Sequence, residues 1–286
     1  MVGGGPRLLA KRDDAIPFGF GGNKVRKLEY VVAEALSDGA DTLVTVGGIQ
    51  SNHARATAAV AAKLGLQCVL ILNGAPPVRP TANALLDQLL GAEIEYIASR
   101  EERAAACERT MARLREEGRR PFFIPLGAST PVGALAFVAA IGELVEQQMV
   151  PDVIVHASSS GGTQAGLVAG VAFHSLKTRI IGVSADDPAE RIADTVRSII
   201  NGIDRFHMLH HDIEVDDTRV GEGYGIPTRE SREAQELAAR TEALFVDHTY
   251  TAKALGALIA YVREGRFTED QTVLFWHTGG QVGLFA

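Results

Sequence analysis

The residues of this 286-residue chain best suited to chemistry sit in short glycine-rich or small-residue turns that open onto helical patterns. Gly21, Gly22, Asn23, Lys24, Val25, Arg26 and Lys27 form one such turn, leading into Leu28, Val31 and Val32. A lysine at a helix start lies among free backbone N–H groups and the positive end of the helix dipole, which disfavour its ammonium form. Lys24 thus has the setting of a lysine that loses its proton, attacks an aldehyde and holds it as a Schiff base. Standing alone, GGNK is more often a surface lysine in a flexible turn.

A second element, VGGIQSN over residues 46–52, follows a strand pattern and opens a helix through His53, Arg55 and Ala58. Helix N-termini at strand ends present N–H groups to anions, so Gln50, Ser51 and Asn52 are placed to grip a carboxylate and a ring hydroxyl. Ser51 and Asn52 also serve as ordinary helix caps. The third element runs from Ala157 through Ser158, Ser159, Ser160, Gly161, Gly162, Thr163, Gln164 and Ala165 to Gly166, between an apolar strand and an apolar helix. Small residues let a backbone wrap an anion, so this run reads as a phosphate cradle for a mononucleotide or a phosphorylated cofactor. It has neither the GK[ST] of a Walker loop nor GxGxxG spacing. A tight turn without a ligand is the plain alternative.

Toward the C-terminus, Tyr250 and Thr251 begin a helix, and Thr278, Gly279 and Gly280 follow an apolar strand ending at Trp276, on the same rim of a sheet. His277 reads as hydrogen-bonded structure rather than an acid or base. Gly223, Tyr224 and Gly225 put a second tyrosine in an irregular stretch, where it is able to stack or donate a proton.

These turns need a scaffold, and the chain carries the pattern of βα units around largely parallel sheets, which makes the fold class α/β. Strands are predicted over residues 42–46, 67–72, 93–97, 121–124, 153–156, 179–183 and 272–276, and helices over 25–36, 52–64, 81–90, 100–117, 130–148, 163–173, 188–200, 231–241 and 251–264. Ser129 and Thr130 before Pro131 mark a helix start, and Gly65 after Lys63 a helix end. Residues 201–229 lack periodicity and read as a surface crossing or cleft lining. With 46% hydrophobic residues the chain is expected to bury one large core or two modest ones.

A net charge of −7 argues against a nucleic-acid partner and for a small molecule. Cys68 and Cys107, without CxxC spacing, support neither a disulfide framework nor a cysteine zinc site, so no metal is expected and a reducing, cytoplasmic setting fits. No signal-peptide pattern opens the chain, and the longest apolar stretch, Val132 to Val145, contains Glu143 and is too short to span a bilayer, so no membrane partner is expected.

Taken in order, GGNKVRKLEY, GGIQSNHARATAA, SSSGGTQAGL, GYGIP, the Tyr250–Thr251 segment and WHTGG cover nearly the whole chain. This set resembles the D-cysteine desulfhydrase and 1-aminocyclopropane-1-carboxylate deaminase family, which uses pyridoxal 5'-phosphate on a tryptophan synthase β-subunit-like fold (fold type II). The resemblance implies two αβα domains with mostly parallel sheets: a large cofactor-binding one over residues 1–31 and 134–286, and a small inserted one over 32–133. It implies that Lys24 carries the cofactor, Asn52 meets its ring hydroxyl, and Lys27 with Ser160, Gly161, Gly162 and Thr163 holds its phosphate. It also places Gln50, Ser51 and Asn52 at the substrate carboxylate, Thr251 or Thr278 at the ring nitrogen, and Tyr224 and Tyr250 over the substrate. A homodimer is the family's habit.

Within the family, ring-opening deaminases have a glutamate where this chain has the neutral Thr251, which resembles the desulfhydrase branch and implies β-elimination from D-cysteine to pyruvate, hydrogen sulfide and ammonia. Cysteate sulfo-lyase and 1-aminocyclopropane-1-carboxylate deaminase are the related alternatives. A non-catalytic binder of the cofactor or an amino acid, and a nucleotide-binding enzyme, are the alternatives of another class. Two departures stand out: the family carries a further N-terminal segment with a strand before the stretch matching Arg7 to Asp14, so an incomplete sheet edge is expected, and Asp247 with His248 replaces an aspartate-proline pair before Tyr250.

Overall fold

The computed structural model describes residues 5–203 and 213–286 of the chain. Two parallel sheets organise it. In chain order the strands are β1 (Arg7–Arg12), β2 (Thr42–Gly48), β3 (Gln67–Asn73), β4 (Glu93–Ile97), β5 (Pro121–Ile124), β6 (Val153–Ser158), β7 (Arg179–Ser184), β8 (Glu214–Asp216) and β9 (Thr272–His277). The helices are α1 (Asn23–Ser37), α2 (Asn52–Leu64), α3 (Ala82–Leu89), α4 (Arg103–Glu116), α5 (Pro131–Glu146), α6 (Gly162–Phe173), α7 (Ala189–Asn201), α8 (Arg229–Glu242) and α9 (Thr251–Arg263). One sheet has the order β1-β9-β6-β7-β8, the other β4-β3-β2-β5.

The sequence shows why β2 and β6 are central. Leu43, Val44 and Val46 in one, and Val153, Ile154 and Val155 in the other, are buried, as strands covered on both faces must be. Alternation assigns the faces. Ile154, Ile180, Leu274 and Trp276 pack under α5, α6 and α7, whereas Val153, Val155, Ile181 and Phe275 pack under α9. In the smaller sheet Leu43, Leu70 and Leu72 meet α1 and α2, while Val44, Val69 and Ile71 meet α4. Each sheet is therefore an αβα layer, as expected from the sequence.

Two strands were absent from the sequence reading. The first, β1, pairs with β9 from Arg7 opposite Thr272 to Arg12 opposite His277, but its residues RLLAKR are mostly exposed at the sheet edge and carry little apolar signal. The other, β8, is three residues long and lies inside the stretch read as irregular; residues 204–212 of that stretch are outside those described.

Local punctuation behaves as the residue types require. Thr130 caps α5, accepting from Gly133 N at 3.0 Å with Pro131 in the first turn, and Gly65 closes α2 in the left-handed region. At Gly166 in α6 a side chain has no room: a Cβ there would lie 2.1 Å from the Ala134 carbonyl oxygen and 2.5 Å from Phe137 Cβ, so α5 and α6 pack almost backbone to backbone. Among the described residues no helix is long and apolar enough to cross a membrane, and no cluster of three His, Cys, Asp or Glu is arranged to hold a metal ion.

Candidate active site

The turn that carries Lys24 is held in place by buried polar contacts. Asp13, fully buried, accepts from Arg26 Nε and from Trp276 Nε1, both at 2.8 Å, and Arg26 also pairs with Glu143. The Asp13 carbonyl accepts from Gly22 N at 2.7 Å, and Asn23 N donates to the Thr278 carbonyl at 3.0 Å. Gly21 has φ +64°, and a Cβ there would lie 2.6 Å from the Asp14 carbonyl oxygen, so only glycine makes this bend. Lys24 follows in the first turn of α1.

Around Lys24 opens a cleft of about 580 Å³, within the usual range for a small-molecule site. Its walls bring together Lys24, Ser51, Asn52, Ser160, Gly161, Thr163, Tyr224, Tyr250 and Thr278. The lysine amine and the serine-glycine bend are thus on one cavity, although 136 positions separate Lys24 from Ser160. Burial, and then the positive charge of Arg55, pull the Lys24 ammonium down to about 8, with Asp247 opposing. An amine so placed is available as a nucleophile near neutral pH.

Four residues singled out in the sequence do not line the cleft. Lys27 is buried behind it, donating to the Gly127 carbonyl at 2.9 Å and to Ser129 Oγ at 3.3 Å; Ser129 Oγ in turn lies 2.8 Å from Ser160 Oγ. Gly162 sits against Ser129, where a Cβ would come within 2.7 Å of the hydroxyl. Gln50 spends its amide on the Thr81 carbonyl and on Asn83 N. Thr251 closes on Asp247: its hydroxyl donates to Asp247 Oδ1 at 2.7 Å and accepts from Asp247 N at 2.8 Å. Asp247 also accepts from the backbone N–H groups of Thr249, Tyr250 and Thr251, so it fixes the start of α9.

Ser51 caps α2, accepting from Ala54 N at 3.2 Å, and still reaches the cleft wall. Asn52 accepts from Asn83 Nδ2 at 2.9 Å. Tyr224 Oη and Tyr250 Oη lie 2.5 Å apart, and burial raises both phenols, Tyr250 well above the ordinary tyrosine value, so both hold their protons at neutral pH. Arg100 stacks over the Tyr224 ring at 5.0 Å and pairs with Asp186 at 3.3 Å, and Arg103 lines the same mouth.

The residue that the sequence reading passed over is Asn23. It was visible inside GGNK, next to the lysine, but its use depends on a partner 140 residues away, Thr163. Asp247 and Arg55 were likewise legible only as residue types.

The cavity suits a molecule with an aldehyde at one end and a phosphate at the other. Gly161, the N-cap of α6, has no side chain to close the first turn, and although Ser129 Oγ accepts from Gly162 N at 3.3 Å, the helix N-terminus still suits an anion. Ser158 Oγ, buried on the wall, has no hydrogen-bond partner of its own.

The pyridoxal-phosphate dependent enzyme family matches residues 3–279. A crystal structure of an ACC deaminase homologue is 35% identical, with TM-score 0.91, covering 99% of this chain and 87% of that one. A hydrogen sulfide-producing enzyme from Fusobacterium nucleatum (14% identity, TM-score 0.71, 98% and 92% covered) and a T.th. threonine deaminase (21% identity, TM-score 0.70, 96% and 87% covered) share the fold. The architecture is therefore that of fold type II, and the cofactor is pyridoxal 5'-phosphate. The chain belongs to the pyridoxal-phosphate dependent enzymes, in the group of the D-cysteine desulfhydrases and 1-aminocyclopropane-1-carboxylate deaminases.

Proposed function

We propose that the chain is a carbon–sulfur lyase that converts D-cysteine and water to pyruvate, hydrogen sulfide and ammonia. Bound pyridoxal phosphate supplies the electron sink. Lys24 carries it and its Nζ takes the proton from the substrate Cα. Ser160, Gly161 and Thr163 hold the phosphate at the start of α6, with Gly162 packed on Ser129 behind them and Lys27 steadying the bend through the same serine. Asn52 meets the ring hydroxyl, and Ser51 with Asn52 meets the substrate carboxylate; Gln50 holds that turn through Asn83. Tyr250 Oη, kept protonated and backed by Tyr224 Oη, protonates the departing sulfur.

The observation that carries this choice is the state of the two threonines. The Thr251 hydroxyl is taken up by Asp247, and of the two it is Thr278 that lies on the cavity wall. A neutral hydroxyl at the ring nitrogen leaves a weaker sink than a carboxylate would, which suits a good leaving group such as thiolate over an unactivated cyclopropane. A second reading, release of sulfite from cysteate, is favoured by Arg100 and Arg103 at the cleft mouth, which suit an anionic substituent. In the same proposal, residues 1–31 and 134–286 form the large cofactor-binding domain and 32–133 the small one, bridged by Arg100 and Asp186, in a cytoplasmic homodimer.

The test is product analysis with D-cysteine, L-cysteine, cysteate and 1-aminocyclopropane-1-carboxylate, after addition of pyridoxal phosphate. Pyruvate and sulfide from D-cysteine at the highest rate, with a visible absorbance band lost in Lys24→Ala, is the expected result. Faster release of 2-ketobutyrate from the cyclopropane, or a protein that stays colourless, overturns the assignment.

A further inference from the structure

Arg55 is 2% exposed, on the first turn of α2, under the bend that carries Lys24. Its Nη2 donates to the Gly21 carbonyl at 3.4 Å, three residues before the lysine. Neither Nε nor Nη1 has a hydrogen-bond partner. Asp87, on α3, is fully buried and faces Arg55, yet neither of its oxygens has a partner either, so the two charges face each other without closing a bond. Buried arginines and aspartates are ordinarily paired, because a lone buried charge is costly. Such a cost next to a reactive lysine points to a task there.

Charged and titratable groups from four elements surround Lys24 or its neighbour Arg55, and of these Arg55 and Asp247 act on the lysine most directly. His53 and Arg55 lie on α2, Lys27 on its own helix α1, Asp87 behind Arg55 on α3, and Asp247 ahead of α9. Burial holds His53 well below the ordinary histidine value and Lys27 well below that of lysine, which leaves Arg55 the dependable cation. The Arg55 guanidinium stays charged even when burial pulls it down to about 10. Burial pushes Asp87 up to about 7, so near neutrality it opposes Arg55 only in part.

We propose that Arg55 is a positioning residue for Lys24: it holds the lysine-bearing turn through the Gly21 carbonyl, and its guanidinium, faced by Asp87 without an ion pair, keeps a positive charge behind the lysine. This rests on the reading of Lys24 as the cofactor-bearing lysine.

The test uses the full chain without cofactor. Competitive acetylation of Lys24 across a pH series, read by mass spectrometry, gives the midpoint at which the amine becomes free. In parallel, the rate of appearance of the visible band after adding pyridoxal phosphate is followed against pH. Arg55→Met is expected to move the midpoint up by about one pH unit, with roughly tenfold slower cofactor attachment at neutral pH. Arg55→Lys keeps the midpoint near that of the parent, and Asp87→Asn moves it down. Midpoints unmoved by both Arg55→Met and Asp87→Asn, or moved the same way by the two, overturn the proposal. If Arg55→Met does not fold, Asp87→Asn decides: a downward shift supports the proposal and no shift overturns it. A parent chain that gains no visible band defeats the reading of Lys24 instead, while the acetylation midpoint still reports on Arg55.

Discussion

Asn23 joins the two ends of the active-site cleft: its Nδ2 donates to Thr163 Oγ1 at 2.9 Å, and its Oδ1 accepts from Lys24 Nζ at 3.2 Å. The residue beside the Lys24 amine is thereby tied to the first turn of α6, the proposed phosphate site. Because Asn23 is buried, the bonds are shielded from competing water.

Asn23→Ala cuts that tie. The Thr163 hydroxyl and the Lys24 amine each lose a partner, a loss of about 1–2 kcal/mol in cofactor binding. Titration of absorbance with pyridoxal phosphate is expected to show affinity weakened by roughly five- to thirtyfold. Unchanged affinity would mean that the two ends are held independently.

Replacing the phenols separates proton transfer from cofactor binding. Tyr250→Phe is expected to lower kcat by roughly 10²–10⁴-fold, the usual size of a general acid's contribution, while the visible band persists. Tyr224→Phe removes only the hydroxyl that backs Tyr250 and costs less. Equal losses in both, or loss of the band, would contradict the division of roles.

Gly166→Ala tests the contact between α5 and α6. With backbone 2.1 Å from the added carbon, the helices must part, at a cost of about 1–3 kcal/mol. Chemical denaturation should show a lower midpoint without a change of slope. A midpoint at the parent's value would show that the interface yields freely.

His156 makes stability fall toward acid. It is fully buried on β6, donates from Nδ1 to the Ala157 carbonyl at 2.9 Å, and leaves Nε2 without a partner. Burial, the largest cause, depresses it to about 4 from an ordinary value of 6.5. The unfolded chain therefore binds the extra proton first, and stability, full above the ordinary value, declines as pH falls through that window. The loss is roughly 3 kcal/mol if this group alone titrates. His156→Gln should flatten the dependence between pH 6.5 and 4; an unchanged profile would assign the acid sensitivity to other groups such as His53.

Much of the architecture could be read from the chain. The runs at residues 42–46 and 153–156 are mostly apolar and do not alternate because both of their faces are covered, and that is visible in one dimension. Edge strands are not legible in this way: RLLAKR gains its strand conformation from hydrogen bonds to β9, and it keeps most of its side chains in water. Among the residues that line the cleft, Lys24, Ser51, Ser160 and Tyr250 stood out because each sits in a turn of distinctive composition or at a helix start.

Local chemistry, then, was settled by sequence alone: which turns bend around glycine, which helices begin at a cap, and which lysine stands at a helix start. The tertiary structure decided partnership. That Thr278 rather than Thr251 faces the cleft, that Lys27 braces the serine-glycine bend from behind, and that Arg55 sits behind the Gly21 carbonyl without an ion pair all depend on groups far apart in the chain. Propensity and periodicity act over a few residues, whereas a hydrogen bond or a buried charge is set by whatever the packed layers bring within a few ångströms.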